Sequence, residues 1–207
     1  MPKPTTQGIQ VPSRPPRGWY SRGYIPHLDQ PGLVQGITFR LGDSLPAHVV
    51  ASLAEDLKDA DDPTKRARIE AYLNAGYGAC YLRDPRIARL VEDALLYFNG
   101  ERYRMVAWVI MPNHVHTLIE TIEGHPLDRI VHSWKSYSAQ QANRILGRTG
   151  RFWFREYFDR YIRDERHFAS AVRYIHNNPV KAGLVESPED WPFSSARHFD
   201  TRRLLPQ

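Results

Sequence analysis

Residues 103–121 read YRMVAWVIMPNHVHTLIET, two apolar runs on either side of a Pro-Asn pair. Apolar runs rich in β-branched and aromatic residues and bounded by turn residues are typical of strands. We therefore predict two strands, residues 103–111 and 115–121, with His114 at the entrance to the second.

One further strand is predicted before this pair, at residues 33–41, and one after it, at residues 157–163. Helices are predicted where a proline or an aspartate opens an apolar pattern with helical spacing and a glycine or proline closes it. They cover residues 46–57, 63–75, 87–98, 126–146 and 165–177. The order strand, helices, strand, strand, helix, strand, helix predicts an α+β fold with helices packed on one antiparallel sheet. This is the ferredoxin-like, split βαβ arrangement, which hosts many functions and fixes none.

Length and composition predict one domain. A chain of 207 residues with 42% hydrophobic and 12% aromatic residues can bury its own core. We place that domain at residues 33–185, with a helical insert at about 45–100. Residues 1–32 are rich in Pro, Gly and Arg and are expected to form an extended, partly disordered arm. Residues 186–207 are expected to form an irregular tail.

Several classes of protein are disfavoured. The single cysteine, Cys80, excludes a disulfide framework and a thiolate zinc cluster. No apolar run is long enough to cross a membrane, and the N-terminus lacks an apolar signal core. We expect a soluble cytoplasmic protein. Its formal net charge of +5 fits a nucleic-acid partner without requiring one.

His114 and His116 stand two positions apart at the second predicted strand. Side chains two apart on a strand project to the same face, a few ångströms from each other. Two imidazoles on one face can hold a divalent metal ion, and a metal ion beside a phosphate helps to break phosphodiesters. A His-x-His pair alone is more often structural, so the metal site depends on what else faces it.

The helix predicted over residues 165–177 carries the candidate partners of this pair. At about 100° per residue, Tyr174 lies on the flank of the apolar stripe, and Asn178, four residues on, shares its side. A tyrosine hydroxyl and an amide facing two histidines would combine a nucleophile with a metal site. The phenolate would attack phosphorus, displace the 3′ oxygen and form a 5′-phosphotyrosine. Tyr174 as a packing residue and Asn178 as a helix cap remain alternatives.

At these residues the sequence resembles a known family. The run MPNHVH is similar to the HUH motif of single-tyrosine transposases, and the other motifs resemble the REP-associated tyrosine transposases, bacterial relatives of the smallest insertion-sequence enzymes. The matching motifs are MPNHVH at 111–116, FWFREYFDRYIR at 152–163, RYIHNNPVKAGLV at 173–185, RGYIPH at 22–27, ITFRL at 37–41 and WPFSS at 191–195. The resemblance spans roughly residues 19–198, and residues 42–100 are longer and more helical than in the compact insertion-sequence enzymes.

The resemblance implies an HUH endonuclease-type fold and a metal-dependent enzyme that cuts and rejoins single-stranded DNA. The expected substrate is a hairpin of a repetitive extragenic palindrome in the bacterial nucleoid. The nucleophile maps onto Tyr174, the metal ligands onto His114 and His116, and a third polar ligand onto Asn178. The expected ion is Mg²⁺ or Mn²⁺, which suits imidazole and amide ligands with open coordination positions. Monomer and homodimer both remain open.

Basic residues concentrate in two segments. Arginines interleaved with aromatic residues between 144 and 173 predict a surface where guanidinium groups bind phosphates and rings stack on unpaired bases. The same arginines could instead solvate exposed faces, and those of the N-terminal arm could contact DNA or stay unbound. The DNA-binding candidates are Arg148, Arg151, Trp153, Arg155, Arg160 and Arg163, with Arg14, Arg17 and Arg22 in the arm.

Two rival functions remain. A non-catalytic module on the same sheet would bind hairpin DNA or RNA without cutting it. A zinc hydrolase of small phosphoesters would use the histidines but leaves the arginine-aromatic segment unexplained. Tyr157 and Tyr161 are rival nucleophiles whose strand position better suits packing or base stacking. His167 and His176 are expected to be surface or hydrogen-bonding residues.

Overall fold

The structure is a computed structural model that describes residues 18–21, 26–46, 49 and 63–198. Its strands are β1 (Gly18–Ser21), β2 (Pro26–Asp29), β3 (Val34–Arg40), β4 (Tyr103–Ile110), β5 (His114–Thr121) and β6 (Phe158–Tyr161). Its α-helices are α1 (Pro63–Asn74), α2 (Pro85–Leu96), α3 (Leu127–Ile145) and α4 (Glu165–Lys181). The helix predicted over residues 46–57 lies almost entirely outside the described residues.

Strands β3 to β6 form one antiparallel sheet in the order β4-β5-β3-β6. Strand β5 lies between β3 and β4 and runs antiparallel to both, so β3 and β4 are parallel without being adjacent. Strands β5 and β6 are related in the same way on either side of β3. The split βαβ unit therefore occurs twice, which confirms the predicted ferredoxin-like α+β fold.

Helices cover both faces of the sheet. On one face, Val91 of α2 and Ile130 of α3 belong to the same buried cluster as Val115 of β5. On the other face, Ile175 of α4 belongs to a second cluster with Leu118 of β5. Because side chains alternate along a strand, Leu118 and every second residue of β5 counted from it face α4.

Helix α4 continues through a proline. The sequence predicts that it ends at Asn177, before the pair Asn178-Pro179, but it runs to Lys181, so the predicted end is wrong. Proline removes only its own N–H group, and the carbonyls of Asn178 and Pro179 still accept from the backbone N–H groups of Ala182 and Leu184. Asn178 is therefore held inside the helix. None of the described helices is long and apolar enough to cross a membrane.

The described residues of the N-terminal arm, 18–21 and 26–32, are ordered, within a segment for which the sequence predicts an extended, partly disordered chain. Strands β1 and β2 pair as an antiparallel hairpin. This hairpin is attached to β6, because the backbone N–H of Leu28 donates to the Asp159 carboxylate and His27 lies fully buried with its ring 4.5 Å from that of Tyr157. Tertiary contacts with distant residues, absent from any local pattern, order this segment.

The segment after α4 covers an edge of the sheet. Strand β4 is an edge strand, and the backbone N–H of Ile110 donates to the carbonyl of Phe193 over 2.9 Å. The indole of Trp191 donates to the Ile110 carbonyl over 2.9 Å. Residues 188–198 are irregular, as predicted, with two short 3-10 turns, but they belong to the folded domain and protect the edge of β4.

Candidate active site

His114 and His116 lie on the face of β5 that α4 covers. Both side chains are buried, and their ring centroids are 4.8 Å apart. Burial lowers the pKa of His114 well below its ordinary value, and the neighbouring His116 lowers it further. Burial, and to a lesser degree Lys181, lowers the pKa of His116 to about 3. Both imidazoles are therefore neutral at physiological pH, the state in which histidine binds metal ions.

A chain of hydrogen bonds orients His114. The Asn113 side-chain amide donates from Nδ2 to the Tyr77 carbonyl over 3.0 Å, which leaves Oδ1 as the acceptor toward His114. His114 Nδ1 lies 2.7 Å from that oxygen, so Nδ1 carries the proton and donates it. The lone pair is then on Nε2, which is buried and has no hydrogen-bond partner in the described chain.

Thr38 plays the corresponding part for His116. Thr38 pairs with His116 across β3 and β5, and its Oγ1 lies 2.7 Å from His116 Nδ1. When the proton of His116 is on Nδ1, the Nδ1–H group donates to this oxygen and Nε2 keeps a lone pair. His116 Nε2 is buried and lacks a partner within residues 26–46 and 63–198. Hydrogen bonds at the second nitrogen fix metal-binding histidines in this manner.

Tyr174 of α4 lies directly against the histidine pair. Its ring centroid is 5.4 Å from that of His116, in an edge-on arrangement. Its hydroxyl is buried and makes no hydrogen bond to the described residues. The ammonium group of Lys181 lies 4.8 Å from the centroid of the same ring.

Asn178 follows Tyr174 by one helical turn and is fully buried. Its Nδ2 donates to the Tyr174 carbonyl over 2.9 Å, which fixes the amide so that Oδ1 points away from the helix backbone. That oxygen is buried and unpartnered in the part of the chain that is described. The predicted pairing of Tyr174 with Asn178 is thus present in the fold.

The unpartnered atoms fit a metal ion better than they fit a closed core. Buried polar groups without hydrogen bonds are costly, and several of them on one face indicate a missing partner. The described residues hold no group of three His, Cys, Asp or Glu side chains able to bind a metal, so an amide would have to complete the ligand set. Four of the unpartnered buried atoms among the described residues belong to this candidate site: His114 Nε2, His116 Nε2, Asn178 Oδ1 and Tyr174 Oη.

Arg40 is a buried charged residue near the site in the sheet register, and sequence reasoning did not single it out. It pairs with His114 across β3 and β5 and is only 4% exposed. Burial lowers its pKa to about 10, so it keeps its charge at neutral pH. Arg40 is the one charged residue in the run ITFRL, which otherwise reads as a mostly apolar strand. A charge in such a strand is the sequence signal that could have identified it.

The predicted DNA-binding residues divide into two groups. Trp153 is 5% exposed, and its indole donates to Ser138 Oγ in the core, so its assignment to a DNA-stacking surface is wrong. The burial of Trp153 cannot be predicted from hydrophobic periodicity, because residues 152–157 have no regular secondary structure. Arg151, Arg155, Arg160 and Arg163 are exposed and Arg148 is partly exposed, whereas Arg14, Arg17 and Arg22 lie outside the described residues.

The rival tyrosines and histidines lie elsewhere. The Tyr157 side chain is buried against the N-terminal hairpin, and Tyr161 is exposed beside Trp19. His176 is buried and lies 2.8 Å from Ser195 Oγ, and His167 Nδ1 accepts from the backbone of Arg163. The prediction that these two histidines are hydrogen-bonding residues is confirmed.

Comparisons with known proteins agree with this geometry. The family model described as "Transposase IS200 like" matches residues 85–178, a range that contains the histidine pair, Tyr174 and Asn178. A Haemophilus influenzae protein named as a putative REP-associated tyrosine transposase is 33% identical over 115 residues, 51% of this chain. The Escherichia coli REP-associated tyrosine transposase is 29% identical over 119 residues, 57% of this chain.

In sequence the chain is similar to REP-associated tyrosine transposases. The match spans 65% of the Haemophilus protein and 70% of the Escherichia coli one. A solved REP-associated tyrosine transposase bound to a REP hairpin superposes with a TM-score of 0.54, covering 90% of this chain and 87% of that one. At 21% identity this likeness shows a shared fold.

Proposed function

We propose that the protein is a metal-dependent enzyme that cleaves and rejoins single-stranded DNA, with Tyr174 as the nucleophile. One observation carries the proposal. The buried histidine pair and Tyr174, which come from a strand and from the helix that covers it, meet with their chemically active atoms unpartnered in the described chain. Most buried polar groups in folded proteins have hydrogen bonds, so several unpartnered atoms brought together at one place support a ligand site.

In this proposal His114 and His116 hold Mg²⁺ or Mn²⁺ through Nε2, and Asn178 supplies a third ligand through Oδ1. The bound ion would polarise the scissile phosphate and offset the charge that develops on it. Asn113 and Thr38 keep the protons of the two imidazoles on Nδ1, away from the ion. The burial of both rings keeps them neutral and available as ligands.

Tyr174 carries out the covalent step. Its phenol loses a proton to solvent, and the phenolate oxygen forms a bond to phosphorus as the bond from phosphorus to the 3′ oxygen breaks. The departing 3′ oxygen takes up a proton and becomes a hydroxyl group. The product is a 5′-phosphotyrosine, which keeps the energy of the phosphodiester for rejoining.

The proposed substrate is a single strand with a hairpin, such as a repetitive extragenic palindrome in the bacterial nucleoid. The names of the relatives and the hairpin bound in the solved structure support this choice. Exposed arginines of the segment 148–163 offer charge for the DNA backbone. Because Tyr174 contacts His116 of the same chain, we also propose that one protomer carries a complete site.

The test is cleavage of a labelled hairpin single strand in Mg²⁺ or Mn²⁺, followed by denaturing electrophoresis. We expect a protein-linked DNA band that is lost in Tyr174→Phe and kept in Tyr161→Phe, a matched change at an exposed tyrosine. Cleavage that persists in Tyr174→Phe would reject this nucleophile. Tight binding without cleavage in either metal would instead favour a non-catalytic hairpin-binding module.

A further inference from the structure

Arg40 is a buried cation on β3, the strand that pairs with the histidine strand β5. It stands directly opposite His114 on the neighbouring strand, and residues opposite each other in an antiparallel pair project to the same face. The backbone N–H of Leu41 donates to the Asn113 carbonyl over 2.8 Å, so the turn that follows Arg40 lies against the turn that precedes His114. The guanidinium and the imidazoles therefore share one end of the sheet.

The partners of Arg40 are all uncharged. Its Nη1 donates to Ser44 Oγ over 3.2 Å and to the Leu41 carbonyl over 3.4 Å, and the ring of Phe154 stacks 3.7 Å from the guanidinium carbon. Within the described chain no carboxylate pairs with it. A buried charge without a counter-ion is costly, so an unpaired guanidinium that is 4% exposed suggests an anionic partner from outside the described chain.

The geometry of the guanidinium indicates which kind of anion would bind to Arg40. A guanidinium is planar and delocalised, and its fork of N–H groups matches the oxygens of a phosphate. Phe154 and Ser44 fix the plane of this fork in advance, so little conformational entropy is lost on binding. A carboxylate ligand would fit the fork as well, but the site next to it is the proposed phosphodiester site.

We propose that Arg40 forms a phosphate subsite that holds the DNA backbone beside the histidine pair. This inference rests on the proposed function, because it takes the ligand to be a nucleic-acid strand. Arg40 binds a phosphate group directly, and the exposed arginines of the segment 148–163 contact the strand farther out.

The experiment measures binding of a labelled oligothymidylate strand by the full chain in EDTA, over salt concentrations from about 50 to about 200 mM. For single strands, each phosphate contact contributes about 0.7 to the slope of log K against log salt concentration. We expect Arg40→Gln, which can still hydrogen bond to Ser44, to lower the slope by about 0.7. Binding at low salt should weaken about tenfold to a hundredfold. Arg40→Lys keeps the charge and should keep the slope.

The matched control is Arg86→Gln, which removes an exposed arginine on the opposite face of the sheet and should leave slope and affinity unchanged. A folded Arg40→Gln variant with the wild-type slope would overturn the proposal. If Arg40→Gln does not fold, an NMR measurement on the wild type replaces it. The Nε–H resonance of Arg40 is identified by its absence from the spectrum of Arg40→Lys. It should shift on saturation with oligothymidylate, and an unchanged resonance would overturn the proposal.

The two proposals fail separately. Cleavage that depends on Tyr174, together with an unchanged slope in Arg40→Gln, would reject the phosphate subsite alone. A lowered slope in a protein that never cuts DNA would reject the catalytic proposal alone.

Discussion

Thr38 and His116 lie opposite each other on neighbouring strands, with Thr38 Oγ1 2.7 Å from His116 Nδ1. With the His116 proton on Nδ1, the hydroxyl accepts it and leaves the buried Nε2 with a free lone pair. A residue separated by 78 positions in the sequence thus sets which nitrogen of the imidazole can bind a metal ion.

Thr38→Val should weaken metal binding while it preserves the fold. Valine has nearly the shape of threonine but cannot accept the His116 proton, and loss of such a partner typically costs about tenfold to a hundredfold in metal affinity or activity. Titration calorimetry with Mn²⁺ measures the affinity. Thr117→Val is the control, because the Thr117 hydroxyl is buried on the opposite face and has no described partner. Equal affinities in Thr38→Val and wild type would show that the contact does not tune the site.

Asn178→Ala should also weaken Mn²⁺ binding, by about tenfold or more, because the proposed third ligand is lost. The neighbouring Asn177 provides a close control. Its Nδ2 donates to the Arg173 carbonyl over 2.8 Å, the same contact that Asn178 makes with Tyr174, but the Asn177 side chain is only partly buried. Asn177→Ala should lose that helical contact and keep the metal affinity. If both variants bind Mn²⁺ as wild type does, Asn178 acts only as a structural residue of the helix.

Mixing two inactive variants should not restore cleavage. Tyr174→Phe keeps the histidines, and His116→Gln keeps the tyrosine, so a site shared between two protomers would be rebuilt in the mixture. Because the two rings are 5.4 Å apart within one chain, we expect each protomer to act with its own tyrosine. The measurement is hairpin cleavage by the equimolar mixture. Recovery of a substantial fraction of wild-type activity would contradict a site contained in one chain.

His176 should make folding stability depend on pH. Burial lowers its pKa from 6.5 to about 4, so between these values the unfolded chain binds a proton that the folded chain does not. The free energy of unfolding therefore falls as the pH decreases from about 6.5 toward 4. After allowance for partial solvent screening, we expect wild type to lose about 1 to 2 kcal/mol more than His176→Gln over this interval.

Urea unfolding in EDTA at several pH values measures this difference. The control is His132→Gln, which changes an exposed histidine of α3 and should keep the wild-type dependence. Parallel stability curves for wild type and His176→Gln would mean that the histidine is not a buried neutral group.

Local patterns in the sequence determined most of the sheet and half of the site. A strand has a period of two, so the chain itself placed His114 and His116 on one face, and the helical period placed Asn178 beside Tyr174. The bounds of β3, β4, β5, α2 and α3 agree with the predictions to within a few residues. These properties depend on neighbours in the sequence, which is why the sequence alone could determine them.

Tertiary structure alone decided which partners these side chains meet. Thr38 reaches His116, and Arg40 stands opposite His114, through the register of β3 on β5, and a pattern within one strand contains no information about that register. The arginines near Trp153 in the sequence suggest a surface position, but the side chain is buried and its indole donates to Ser138 Oγ. Periodicity gives the direction in which a side chain projects, and only packing between distant segments determines what lies there.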